Sequence, residues 1–90
     1  MSVQKRFLVK GCVQGVWFRQ STKQQAEKLA LVGWVRNLNS GDVEACAFGS
    51  PLNIDAFEKW LWQGPELAEV DAVIVNDSDE VFENGFEVRA

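Results

Sequence analysis

Residues 11–19 read GCVQGVWFR, a run with two glycines, no acidic side chain and a single cation, Arg19, at its end. From Phe18 onward the apolar residues take helical spacing, so Arg19 falls in the first turn of a helix. That end of a helix carries partial positive charge, and a cation there is mildly unfavourable. The placement makes sense where an anion lies between the loop and the helix start. N–H groups of a strand-to-helix loop can turn inward as an anion-binding nest, and Gly15 permits backbone conformations and close approaches that a Cβ would hinder. The Arg19 guanidinium adds a planar fork of donors suited to two oxygens at once. By itself the pattern fits a phosphate or carboxylate site, and equally a tight turn whose arginine pairs with a surface carboxylate.

Two other residues bear chemistry, Cys12 within this run and Asn37 beyond it. Cys12 suggests a thiolate phosphatase, in which five residues separate the nucleophile from the arginine; here six stand between Cys12 and Arg19, one too many. Cys12 therefore reads as a small residue at a strand end. Asn37 lies near a turn, where asparagine is often only a turn former. Asn39-Ser40-Gly41-Asp42 already supply that turn, which frees the Asn37 amide for another task.

The composition narrows the chemistry further. Ninety residues give one domain, 1–90. There is no histidine, so the commonest general base and metal ligand is missing from any site. A net charge of −4 and no basic stripe argue against a nucleic-acid partner. The acidic residues Asp77, Asp79, Glu80 and Glu83 lack the spacing and glycine of a calcium loop, and read as solvated. With no signal peptide and no apolar run of membrane-spanning length, Cys12 and Cys46 read as free thiols of a cytoplasmic protein.

The elements that must position these residues follow from periodicity. Residues 6–10, RFLVK, form a strand. Phe18, Thr22, Ala26, Leu29 and Ala30 share a helix face, with Gly33 suited to the left-handed position after it. GWVRNL and VEACAFG flank the NSGD turn as a hairpin, which puts Arg36 on the face opposite Asn37 as a solvated charge. Antiparallel pairing then leaves Cys12 and Cys46 too far apart for a disulfide. Ser50-Pro51 caps a second helix carrying Ile54, Phe57 and Leu61, and Gly64-Pro65 ends it. A strand at 68–76 is expected to alternate Val70, Ala72 and Ile74 against Glu69, Asp71 and Val73, and FEVR closes the chain. The order is β-α-β-β-α-β plus a short C-terminal strand. It implies an α+β, ferredoxin-like split β-α-β sheet, antiparallel, with both helices on one face. The four tryptophans read as packing residues, only Trp17 lying in the loop itself.

The motifs G-x-V-Q-G-V-x-F-R at 11–19 and G-W-V-x-N at 33–37, with the FEVR ending, make the whole chain resemble the acylphosphatase family. The resemblance implies a small metal-independent, cofactor-free enzyme that hydrolyses acyl phosphates to a carboxylate and inorganic phosphate. It implies Arg19 and Asn37 as catalytic residues, and a phosphate cradle formed by Val13, Gln14, Gly15, Val16, Trp17, Phe18 and Arg19. Inorganic phosphate or sulfate would then compete with substrate, the chain acting as a monomer without membrane or nucleic acid. Cys12 departs from the family, which is often basic there. Such domains also occur within larger proteins, and the same layout serves simple ligand-binding modules.

Overall fold

In the computed structural model, which describes residues 1–80 and 85–89, the elements run β1 (Val3–Cys12), α1 (Phe18–Lys28), β2 (Val32–Asn37), β3 (Val43–Gly49), α2 (Pro51–Gln63), β4 (Glu69–Asp77) and β5 (Phe86–Arg89). They form one sheet in the order β4-β1-β3-β2-β5. The first four strands of that order pair antiparallel, as expected of a split β-α-β layout. β5 is added parallel to β2 at the edge, so the sheet is mixed rather than wholly antiparallel.

Both helices cover one face of the sheet. Phe7 and Val9 of β1, Val35 of β2, Val43, Ala45 and Ala47 of β3, and Phe86 of β5 pack beneath Phe18 and Ala26 of α1 and Ile54, Phe57 and Leu61 of α2. Phe57 sits edge-on to Phe7 at 5.4 Å and to Phe86 at 6.1 Å, bridging the centre and edge of the sheet. Burying such a side chain contributes roughly 2–3 kcal/mol, so Phe57 also anchors the four-residue β5 strand. Asn53 Nδ2 donates to the Leu29 carbonyl at 2.9 Å, tying the start of α2 to the end of α1.

Three expectations need correction. Ala30, with φ 54°, takes the left-handed position after α1. Gly33 instead lies within β2, where a Cβ would fall on the Cys46 carbonyl oxygen of β3. In β4, Val70, Val73 and Val75 pack toward the core while Ile74 is exposed. The cause is a bulge: Lys10 pairs with Ala72 but Gly11 with Val70, so Asp71 is an extra residue that switches the alternation. Gly11 permits the bulge, since a Cβ there would meet the Glu69 carbonyl oxygen.

The acidic segment after β4 is also more than a solvated loop. Ser78 accepts from Gln4 Nε2 at 3.0 Å and from the Cys46 thiol at 3.4 Å. Glu80 accepts from the Trp34 indole N–H at 3.1 Å and pairs with Arg6 at 3.5 Å. These contacts draw Ser78–Glu80 across the sheet face that lacks helices. Glu83 lies outside the described residues. Burial pushes the Cys46 thiol above its ordinary value. Burial alone would raise the Glu80 carboxyl too, but hydrogen bonds from Cys46 and Trp34 and the Arg6 charge bring it below its usual range. Arg36 lies on this face, away from Asn37, and is paired with Glu44 at 2.6 Å rather than free in solvent. Both cysteines are free thiols: Cys46 faces Arg6 across the β1–β3 ladder, whereas Cys12 lies beyond its far end.

Candidate active site

The loop from Val13 to Trp17 joins β1 to α1 and is shaped by its backbone. Gly15 has φ 75° and Trp17 has φ 64° and ψ 19°, both left-handed. A left-handed conformation at a bulky aromatic residue is uncommon and costs on the order of 1 kcal/mol or more. Trp17 is the N-cap of α1, yet its side chain offers no cap and the first turn holds no acidic residue. The first helical bond runs from Ser21 N–H to the Trp17 carbonyl at 2.9 Å. The N–H groups of Phe18, Arg19 and Gln20 precede it and have no acceptor within the helix. Three donors and the positive end of the helix dipole converge there.

A cavity of about 430 Å³ opens at this helix end, lined by Val13, Gly15, Trp17, Phe18, Arg19, Gln20, Asn37 and Val88. Among the described residues, none that lines the cavity carries a carboxylate, an imidazole or a thiol. Arg19 supplies the positive charge. One of its terminal nitrogens donates to the Arg89 carbonyl of β5 at 2.8 Å, which fixes the guanidinium and leaves further donors of the fork unspent. Arg89 is in turn held by its side chain, 4.8 Å from the centre of the Trp34 ring, with Arg36 at 5.1 Å from the same ring. Asn37, at the last position of β2, turns its Oδ1 inward, where it is buried and accepts no hydrogen bond from the described protein. A buried amide oxygen without a protein partner is uncommon in folded proteins, and Oδ1 is left able to accept a hydrogen bond.

Of the residues expected at the site, Val13, Gly15, Trp17, Phe18, Arg19 and Asn37 share this cavity. Gln14 and Val16 do not line it. The Gln14 side chain donates from Nε2 to the Leu38 carbonyl at 2.7 Å and the Asp42 carbonyl at 2.9 Å. It thereby clamps the cradle loop to the β2–β3 turn, and so sets Asn37 against the loop. Val16 packs partly buried against the core. Cys12 is exposed and outside the lining. Gln20 and Val88 are additions that the sequence did not reveal. Gln20 could have been found from helix phase, as the third residue of α1, whereas Val88 depends on where a remote strand docks.

The sequence model of the acylphosphatase family matches residues 5–88. The chain belongs to the acylphosphatase family, hydrolases that act on acyl phosphates. An acylphosphatase of Xanthomonas euvesicatoria pv. vesicatoria is 57% identical over 68 residues, covering 76% of this chain and 77% of its own. One of Alkalilimnicola ehrlichii is 47% identical over 88 residues, 98% of this chain and 99% of its own. Among solved structures, an acylphosphatase from Coxiella burnetii superposes with a TM-score of 0.93 at 41% identity, over 98% of this chain and 93% of that one. The ferredoxin-like fold of this acylphosphatase is thus shared along nearly its full length. Among its described residues, no helix is long and apolar enough to cross a membrane.

Proposed function

We propose that the cavity at the start of α1 is where an acyl phosphate is hydrolysed, with Arg19 and the 13–18 loop holding the phosphoryl group and Asn37 placing the water. The observation that carries this reading is the uncapped, acid-free N-terminus of α1, with Arg19 in its first turn and Asn37, its amide oxygen unpartnered among the described residues, lining the same cavity.

The chemistry suits these residues. Water attacks phosphorus, the bond from phosphorus to the carboxyl oxygen breaks, and the products are a carboxylate and inorganic phosphate. The departing carboxylate is stable without a proton, so no general acid is required. The water's proton passes to a phosphoryl oxygen of the substrate, so no imidazole or carboxylate base is needed either. What remains is positioning and stabilisation of charge on the phosphoryl oxygens. Arg19 offers a charged fork, and the N–H groups of Phe18, Arg19 and Gln20 offer fixed dipoles. Asn37 accepts and donates, which suffices to hold one water in line with the scissile bond.

The test is release of inorganic phosphate from benzoyl phosphate by the purified chain, with inorganic phosphate and sulfate added as competitors. Turnover is expected, inhibited competitively by both anions and unchanged by a chelator. Loss of turnover on chelation, restored by a divalent ion, would place the protein in a different chemistry.

A further inference from the structure

Four tryptophans occupy four different settings, and Trp17 is the most exposed of them. Trp34 lies beneath two guanidinium groups with its indole N–H on Glu80. Trp60 packs against Phe18 with ring centres 5.8 Å apart. Trp62 is about half exposed on α2. Trp17 is 77% exposed, and among the described residues no ring or cation stacks on it. It also holds a left-handed backbone that favours glycine or asparagine over a large aromatic residue. A strained, solvent-facing indole with no partner in its own chain is poorly explained by stability. Such strain tends to lie where a ligand is held.

Its position supplies the explanation. Trp17 lines the cavity that contains Arg19 and Asn37, and so does the half-buried Val88 of β5. The polar lining residues Arg19, Gln20 and Asn37 gather where the phosphoryl group would bind, at or beside the end of α1. A volume of about 430 Å³ falls in the range that takes a small organic ligand, well beyond the needs of an anion alone. The remaining lining, the Trp17 indole with Val88, Val13 and Phe18, is apolar and brings no second charge to the cavity.

We infer that Trp17 is the platform for the acyl group, and that this acylphosphatase prefers acyl phosphates whose acyl part is planar and apolar, an aromatic or conjugated acid, over small aliphatic ones. The inference rests on the site proposed above. An indole stacks on a flat apolar group in an offset or edge-on arrangement and gains little from a methyl group. Because this contact is made to a non-reacting part of the substrate, it is as strong in the ground state as in the transition state. It therefore acts mainly through KM.

The test compares benzoyl phosphate with acetyl phosphate in the parent chain, Trp17→Asn and Trp17→Phe. Asparagine tolerates the left-handed backbone while removing the ring, and phenylalanine restores a ring. In Trp17→Asn the ratio of kcat/KM for benzoyl over acetyl phosphate is expected to fall roughly tenfold, mostly through KM. In Trp17→Phe most of that ratio should return. A residue that only shapes the loop would change both substrates by the same factor. A ratio altered less than about twofold in Trp17→Asn, whatever the absolute rates, overturns the platform while leaving the hydrolase reading intact. A parent chain that turns over neither substrate overturns the hydrolase reading, and the platform with it.

Discussion

The two helices of this protein begin in opposite ways. At α2, Ser50 has an extended backbone, its Oγ accepts from the Asn53 N–H at 3.2 Å, and Pro51 occupies the first helical position without needing a partner. At α1, Trp17 is left-handed, no side chain caps the helix, and the first turn carries a cation. A cap is worth about 1 kcal/mol, and α1 forgoes it while also holding a strained residue. The helix end that only supports the fold is satisfied by its own chain. The end that faces the cavity leaves its first N–H groups without a side-chain cap, as the proposed anion site requires. Both helices contribute buried residues to one core, so the difference is confined to how each begins.

The strongest way to break this contrast is to remove the charge that accompanies the open end. Arg19→Ala should lose phosphate binding and turnover together, by about 2–4 kcal/mol, roughly thirty- to thousand-fold in kcat/KM. Lysine should restore little, because it cannot reproduce the fork. Asn37→Ala should separate from it, with kcat falling on the order of a hundredfold while the inhibition constant of inorganic phosphate stays within a few-fold. Steady-state kinetics with phosphate as competitor distinguish the two. Normal turnover by Arg19→Ala, or equal losses of phosphate affinity in both variants, would contradict the assigned roles.

The same contrast explains which parts of the molecule were legible in the sequence. Ser50-Pro51 and the open start of α1 are local: cap residue, proline and cation all fall within one turn and can be read in order. The hairpin, both helices and the grouping of Arg19 with Asn37 followed from short-range pattern and from the two family motifs. What escaped depends on contacts between distant segments. The β4 bulge exists because Gly11 and the Glu69 carbonyl meet closely, and neither segment alone announces it. Gly33 resembled a helix stop because it follows α1, but its role is set by β3 packing behind it. Gln14 is legible as part of the loop, but the clamp of its side chain on the Leu38 and Asp42 carbonyls is not, because it joins distant segments. Glu80 reads as solvated in the sequence, but the fold sets the Trp34 indole N–H against its carboxylate.

A smaller change would make α1 resemble an ordinary helix. Gln20 is the third helical residue, exposed and on the cavity lining, where a carboxylate is favourable to a helix. Gln20→Glu should therefore stabilise the fold by about 0.3–1 kcal/mol in urea unfolding. The same charge would repel a phosphate held at that terminus, weakening its competition roughly tenfold at low ionic strength and less in high salt. Stability and binding would move in opposite directions, as expected if the open terminus trades one for the other. Improved or unchanged phosphate competition would mean that the anion does not sit at the start of α1.

The smallest expected effect comes from the other terminus and serves as its mirror image. Ser50→Ala removes the acceptor of the Asn53 N–H but leaves Pro51, the Ile54 N–H to Ser50 carbonyl bond and the Asn53 side-chain contact to Leu29 in place. The loss should be about 1 kcal/mol, read as a lower urea midpoint with an unchanged slope. For a domain of this size it corresponds to a Tm lower by about 4–8 °C. Glycine at the same position should lose only a few tenths of that energy, because its backbone lets water reach the freed donor. Ser50 does not line the cavity, so phosphate competition and kcat should match the parent wherever the chain is folded. A fall in phosphate affinity comparable to that of Gln20→Glu would show that the two helix starts are coupled through the Asn53–Leu29 link. The capped end would then be part of the site's support, and the division between a structural terminus and a binding terminus would have to be redrawn.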